Sequence, residues 1–111
     1  MRANDKSVDE MRKSERIDVT EMVRVIDKPS GQEIGQLVNI SEEGIMIMGS
    51  QPIAENSIMQ LSLVYDDAPE MSIGVESLWS QSSGETSHWT GFYIIDISEE
   101  DQQRIRDMAN A

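Results

Sequence analysis

Six short apolar runs, each at strand period and each closed by a turn signal, constrain this chain more than any other feature. "VTEMVRVI" (19–26) alternates and is rich in β-branched side chains, which fit a pleated, half-buried surface. "IGQLVNI" (34–40), "IMIMG" (45–49), "IMQLSLVY" (58–65), "MSIGVESLW" (71–79) and "HWTGFYIIDI" (88–97) repeat the pattern. Between them lie "KPSG" (28–31), "SEEG" (41–44), the loop 50–57, "DDAPE" (66–70) and "SQSSGET" (80–86), where Pro, Gly, Asn and Asp supply turn geometry. Turns spaced at roughly 8–12 residues predict an antiparallel barrel or sandwich. The character then changes at "SEEDQQRIRDMANA". Ser98 and Asp101 resemble a capping box with Asp in place of Glu. Glu99, Glu100 and Asp101 suit the positive end of a helix dipole, and Arg104 and Arg106 lie toward its negative end. A helix over about 98–109 is expected. The 111 residues suit one mainly β domain, its body at 12–111, preceded by a polar, flexible tail at 1–11.

Charge narrows the partners. The formal net charge is -12, which repels nucleic acid and anionic lipid, whose affinity comes largely from neutralised phosphates. The cations are unevenly placed: Arg2, Lys6, Arg12, Lys13, Arg16, Arg24 and Lys28 precede Pro29, and only Arg104 and Arg106 follow it. Three of them crowd into "RKSER" (12–16). Charges are screened over about 8 Å at physiological salt, so a local cation cluster still holds a small anion. The chain has no cysteine, which removes disulfides and thiolate metal sites and fits a cytoplasmic location. No apolar run approaches the length of a membrane span, and the N-terminal residues have no apolar core of a secretion signal.

Catalytic and metal chemistry find little support. His88 is the single histidine; it reads as a strand-edge residue near a loop, and no nucleophile-elbow pattern accompanies it. The carboxylates lack calcium-loop spacing, so no metal site is expected. "DDAPE" reads as a solvated turn. Met46 and Met48 alternate at strand period and are expected in the core, and core packing is the first expectation for Trp79 and Trp89, ligand stacking the second.

Arg12-x-x-x-Arg16 and Asn39-x-Ser41-x-x-Gly44 remain. Taken singly, the first is a solvated arm and the second a turn, with Asn and Ser bonding local backbone and Gly44 open to positive φ. Taken together, in this order and with 22 residues between them, they make the chain resemble the PilZ domain family. The likeness covers about residues 11–108 and includes "WTGFYIIDISEED", which looks like the family's last strand entering its helix. It implies a six-stranded antiparallel β-barrel (about 18–97) with a C-terminal α-helix, and a bacterial receptor for cyclic di-GMP, not an enzyme and without a further cofactor. By the same resemblance, Arg12 and Arg16 hold guanine and phosphate, Asn39 and Ser41 bond a base, and Gly44 shapes their turn. Lys13 adds a phosphate contact and Trp79 a stacking face.

The residue types suit that ligand. A guanidinium bonds guanine O6 and N7 together, grips phosphate bidentately and stacks on a purine; lysine does the first and last poorly. The expected mechanism is an arm that orders on binding and so signals to a downstream protein, with motility, polysaccharide secretion or transcription as outputs by analogy. The alternative is a ligand-independent adaptor acting through protein contacts alone. The chain departs from the family pattern by carrying Ile94 where many members have a second aromatic. Glu15, Glu42 and Glu43 flank or enter the motifs and would weaken anion binding if aimed at it.

Overall fold

The alternating runs fold as strands because each has one apolar face to bury. In the computed structural model, which describes residues 16–110, they are β1 (Ile17–Asp18), β2 (Arg24–Asp27), β3 (Gln32–Ile40), β4 (Gly44–Gly49), β5 (Ile58–Val64), β6 (Met71–Ser82) and β7 (His88–Ile97). The helix α1 (Glu99–Ala109) follows. All pairings are antiparallel, in the order β1-β3-β2-β5-β6-β7-β4. A further β3–β4 pairing joins the ends of β3 and β4 into a ring. The result is a closed six-stranded barrel with the two-residue β1 added beside β3. Closure leaves the ring without a free edge. The tail at 1–11, Arg12 and Lys13 lie outside the described residues.

The inward face carries the core. Val25, Ile45, Ile47, Leu61, Leu63, Ile73, Val75 and Phe92 are buried, and α1 contributes Ile105. In β4 the isoleucines point in, while Met46 and Met48 are only half-buried, so the expectation of core methionines is corrected. Successive strand residues face opposite ways, and the cross-strand partners of Ile45 and Ile47, Phe92 and Thr90, are themselves buried.

The run 19–26, expected as one strand, is also divided. Its backbone touches β3 at Val19, whose N–H donates to Val38, and at Val23, whose carbonyl accepts from Leu37. Thr20, Glu21 and Met22 are exposed between these points. Two polar residues cannot follow the valines inward, so the backbone leaves the ladder and rejoins it at β2.

The helix begins as its sequence requires. Ser98 Oγ accepts from the Asp101 N–H at 3.1 Å, and the Asp101 carboxylate turns to Arg104 at 3.2 Å instead of closing the capping box. Arg104 also donates to the Pro69 carbonyl at 2.9 Å and lies 5.5 Å from the centre of the Tyr65 ring. Burial raises the Tyr65 pKa above its ordinary value, and the Arg104 charge opposes that rise.

Candidate functional site

Twenty-two residues separate Arg16 from Asn39 along the chain, and β1 brings them together. Ile17 pairs with Ile40 and Asp18 with Asn39, and Ile17 packs against the core. This short apolar anchor sets the residue before it beside β3. The Arg16 guanidinium there donates to Asn39 Oδ1 at 2.7 Å. An arginine held by a neutral amide keeps its full charge and further N–H donors.

The barrel supplies the rest of the site through register. Asn39 pairs with Met46, Met46 with Gly91, and Gly91 with Trp79. Directly paired residues share a face, so these four form one row across the outside of β3, β4, β7 and β6. Along β6, alternation would carry Ile73, Val75, Ser77 and Trp79 all inward. A bulge between Ser77 and Trp79 inserts Leu78 and turns the indole out, as one added residue must. Trp79 is therefore 38% exposed and not a core residue as first expected, while Trp89 is half-buried.

Gly91 makes room for the indole. A Cβ built on Gly91 would lie 2.4 Å from Trp79 Nε1, so only glycine admits the ring across that strand. Arg16, Asn39, Met46, Leu78, Trp79 and Gly91 line an open cleft of about 250 Å³. Its walls are one guanidinium, one amide, a thioether and an indole. That set suits a planar, polar, anionic ligand: the indole offers a stacking face, and the cation offers donors at its edge. Met46, Leu78 and Gly91 did not figure among the expected site residues. A glycine inside a strand run such as "WTGFY" is the sequence's sign of a close approach.

Ser41 and Gly44 build the turn beside this cleft. The Ser41 hydroxyl accepts from the N–H groups of Glu43 at 3.3 Å and Gly44 at 3.2 Å, and the Ser41 N–H donates to the Gly44 carbonyl at 2.8 Å. Ser41 is buried, and its side chain is committed to this turn. Gly44 does not use positive φ; among the described residues the glycines that do are Gly31 and Gly84. Its requirement is space, since a Cβ there would lie 2.4 Å from the Phe92 carbonyl oxygen. The motif's acids face elsewhere. Glu42 pairs with Arg106 of α1 at 2.9 Å, and Glu42 and Glu43 line a separate groove with Tyr93, Ile95 and Asp96. His88 opens β7 opposite Gly49 and Ser82. No group of acidic or histidine side chains among the described residues is placed to hold a metal ion. No helix among them is long and apolar enough to cross a membrane.

Residues 10–111 match the model of the PilZ domain. The chain belongs to the PilZ domain family. No curated protein matches its sequence, but solved structures share its fold. The PilZ domain of Escherichia coli YcgR, determined with c-di-GMP, aligns with a TM-score of 0.69 over 86% of each chain at 11% identity. YcgR from Escherichia coli in complex with c-di-GMP aligns with a TM-score of 0.72 at 12% identity, over 89% of this chain and 44% of that one. Bacillus subtilis MotI, an inhibitor of motility, gives 0.69 at 15% identity, over 89% of this chain and 50% of its own. This PilZ chain thus spans about half the length of the latter two proteins. The six-stranded ring and its C-terminal helix are the PilZ fold, as the resemblance implied.

Proposed function

We propose that this PilZ domain is a receptor for cyclic di-GMP. The observation that carries the proposal is the meeting of its two motifs, with the Arg16 guanidinium 2.7 Å from Asn39 in a cleft faced by Trp79. Family membership and the c-di-GMP complexes of related PilZ structures support it. In this reading Arg16 bonds a guanine edge or a phosphate, Asn39 offers its amide N–H groups to a base acceptor, and the Trp79 indole stacks. Ser41 and Gly44 act by shaping the turn that aims Asn39. Arg12 and Lys13 add cations from the preceding segment, by the family motif.

The ligand carries two phosphodiester charges, and the acidic remainder of the chain confines anion binding to this one cluster. Ordering a residue costs about 1–2 kcal/mol, and a hydrogen bond to a charged group contributes about 1.5–3 kcal/mol. A few such bonds offset the fixing of a short arm. The ordered arm then presents a new surface to a downstream protein.

Calorimetric titration of cyclic di-GMP into the wild type and Arg16→Ala at fixed salt tests this. Micromolar or tighter binding by the wild type, weakened by Arg16→Ala at least about a hundredfold as expected for a lost charged contact of roughly 3 kcal/mol, is the expected result. A folded wild type that gives no heat at two temperatures overturns the receptor reading.

A further inference from the structure

Next to the cleft, the outer face of the sheet carries a second patch. Ile58, Leu78, Tyr93 and Ile95 are 62%, 51%, 49% and 47% exposed. Register gathers them. Ile58 pairs with Glu76 and Glu76 with Tyr93, which makes a row across β5, β6 and β7. Leu78 is the residue added by the β6 bulge, and Ile95 occupies a second irregularity, where Ile94 and Asp96 pair with successive residues of β6. Single exposed apolar side chains are ordinary, but four on one face mark a place where something binds.

The same face is acidic. Glu76 lies within the row, and Glu43 and Asp96 flank Tyr93 and Ile95 along a groove of about 340 Å³. No lysine or arginine occurs between Pro29 and Gln103, so this part of the barrel supplies no cation of its own. Arg106 approaches the groove from α1, where it is paired with Glu42.

We infer that this face docks a basic amphipathic segment of another protein. Its apolar side chains cover Ile58, Leu78, Tyr93 and Ile95, and its lysines or arginines meet Glu43, Glu76 and Asp96. Charge selects this occupant. An anionic membrane or a nucleic acid brings more negative charge to the acids, and a second copy of this chain docked through the same face sets Glu43, Glu76 and Asp96 against their own equivalents. Leu78 also lines the cleft that holds Arg16 and Trp79, so the docked segment touches the rim of the proposed nucleotide site. The inference names the chemistry of the receptor's downstream partner and rests on the receptor reading only for that link.

The test uses the full chain and a synthetic peptide with leucines on one helical face and lysines on the other. Amide shifts are followed by NMR with and without cyclic di-GMP. A control peptide replaces the lysines with glutamates. Saturable binding of the basic peptide alone, with the largest shifts at Leu78, Tyr93 and Ile95, is expected. Tyr93→Ser with Ile95→Ser should weaken it roughly tenfold, as at the centre of an interface. Glu76→Gln with Asp96→Asn should weaken it less and flatten its salt dependence. All four positions lie on the outer face, so unchanged amide dispersion checks that the variants stay folded. A footprint elsewhere, no saturable binding, equal binding of the acidic peptide, or a dimer that covers the patch overturns the inference. Peptide binding in a protein that ignores cyclic di-GMP sustains the docking face and counts against the receptor reading alone.

Discussion

The turn at 28–31 and the turn at 41–44 each join strands that pair with one another, and each ends in glycine, yet they are held by different means. In the first, Asp27 accepts from the Ser30 hydroxyl at 2.6 Å, and the Gly31 N–H donates to the Asp27 carbonyl at 2.7 Å. It is exposed; Gly31 has φ +75° and open space around it. The second is buried at Ser41 and Gly44 and pressed against β7. Lys28 at its start bonds β5 and β6, but the rest of the first turn is held locally and answers to backbone conformation. The second is fixed by a third strand and by the helix, and its shape belongs to the tertiary structure. A turn that aims a binding residue has to be of the second kind, because a local turn relaxes when its neighbours do.

Paired substitutions at the two glycines give the largest separation. Gly44→Ala drives a methyl into the Phe92 carbonyl, backbone against backbone, and should cost roughly 3 kcal/mol. Gly31→Ala meets no atom and should cost about 1 kcal/mol, the strain of a left-handed non-glycine residue. Urea unfolding midpoints at constant slope measure both. Equal costs would break the comparison, because Gly44 would then be needed for something other than space.

The serines sharpen it. Ser41→Ala leaves the N–H groups of the exposed Glu43 and the buried Gly44 without their acceptor, and a stranded buried group costs about 1–3 kcal/mol. Ser30→Ala removes an exposed hydroxyl whose partners turn to water, at about 0.5 kcal/mol. In the receptor reading Ser41→Ala also weakens cyclic di-GMP, through the aim of Asn39, while Ser30→Ala does not. Titration of the two variants side by side separates a turn that matters to the ligand from one that matters only to the hairpin.

This contrast also marks what the sequence discloses. Alternation located the six barrel strands because each has to bury one face, and the change at Ser98 located the helix because caps and first-turn acids are local chemistry. Which face each strand turned inward was less legible. In "IMIMG" both sets of alternate residues are apolar, and cross-strand register alone puts Ile45 and Ile47 inside. Trp79 falls on the inward phase of its strand until Leu78 is inserted; no residue type at 77–79 announces that bulge. The two-residue β1 that joins the motifs is too short to show a period. "SEEG" gave the site of a turn, and the carbonyl of Phe92, 48 residues beyond Gly44, gave the reason for its glycine.

Each turn also has one long-range side-chain tether, and here the smallest effect is expected. Lys28 Nζ reaches Ser72 Oγ at 2.9 Å, a cation on a neutral partner. Arg106 reaches Glu42 at 2.9 Å, with side chains 47% and 28% exposed, a pair that solvent screens. Exposed pairs contribute about 0.2–1 kcal/mol. A double-mutant cycle of Arg106→Ala and Glu42→Ala should therefore return about 0.5 kcal/mol of coupling in dilute buffer. At about 1 M salt, where screening acts within about 3 Å, the coupling should vanish. Lys28→Ala should show little of that salt dependence, because its partner carries no charge. A coupling at Glu42 and Arg106 that persists in high salt would mean the helix grips the 41–44 turn by packing and geometry beyond charge. The turn beside the cleft would then be tied to α1 more tightly than an exposed ion pair allows, and a shift of that turn on ligand binding would have to move the helix with it.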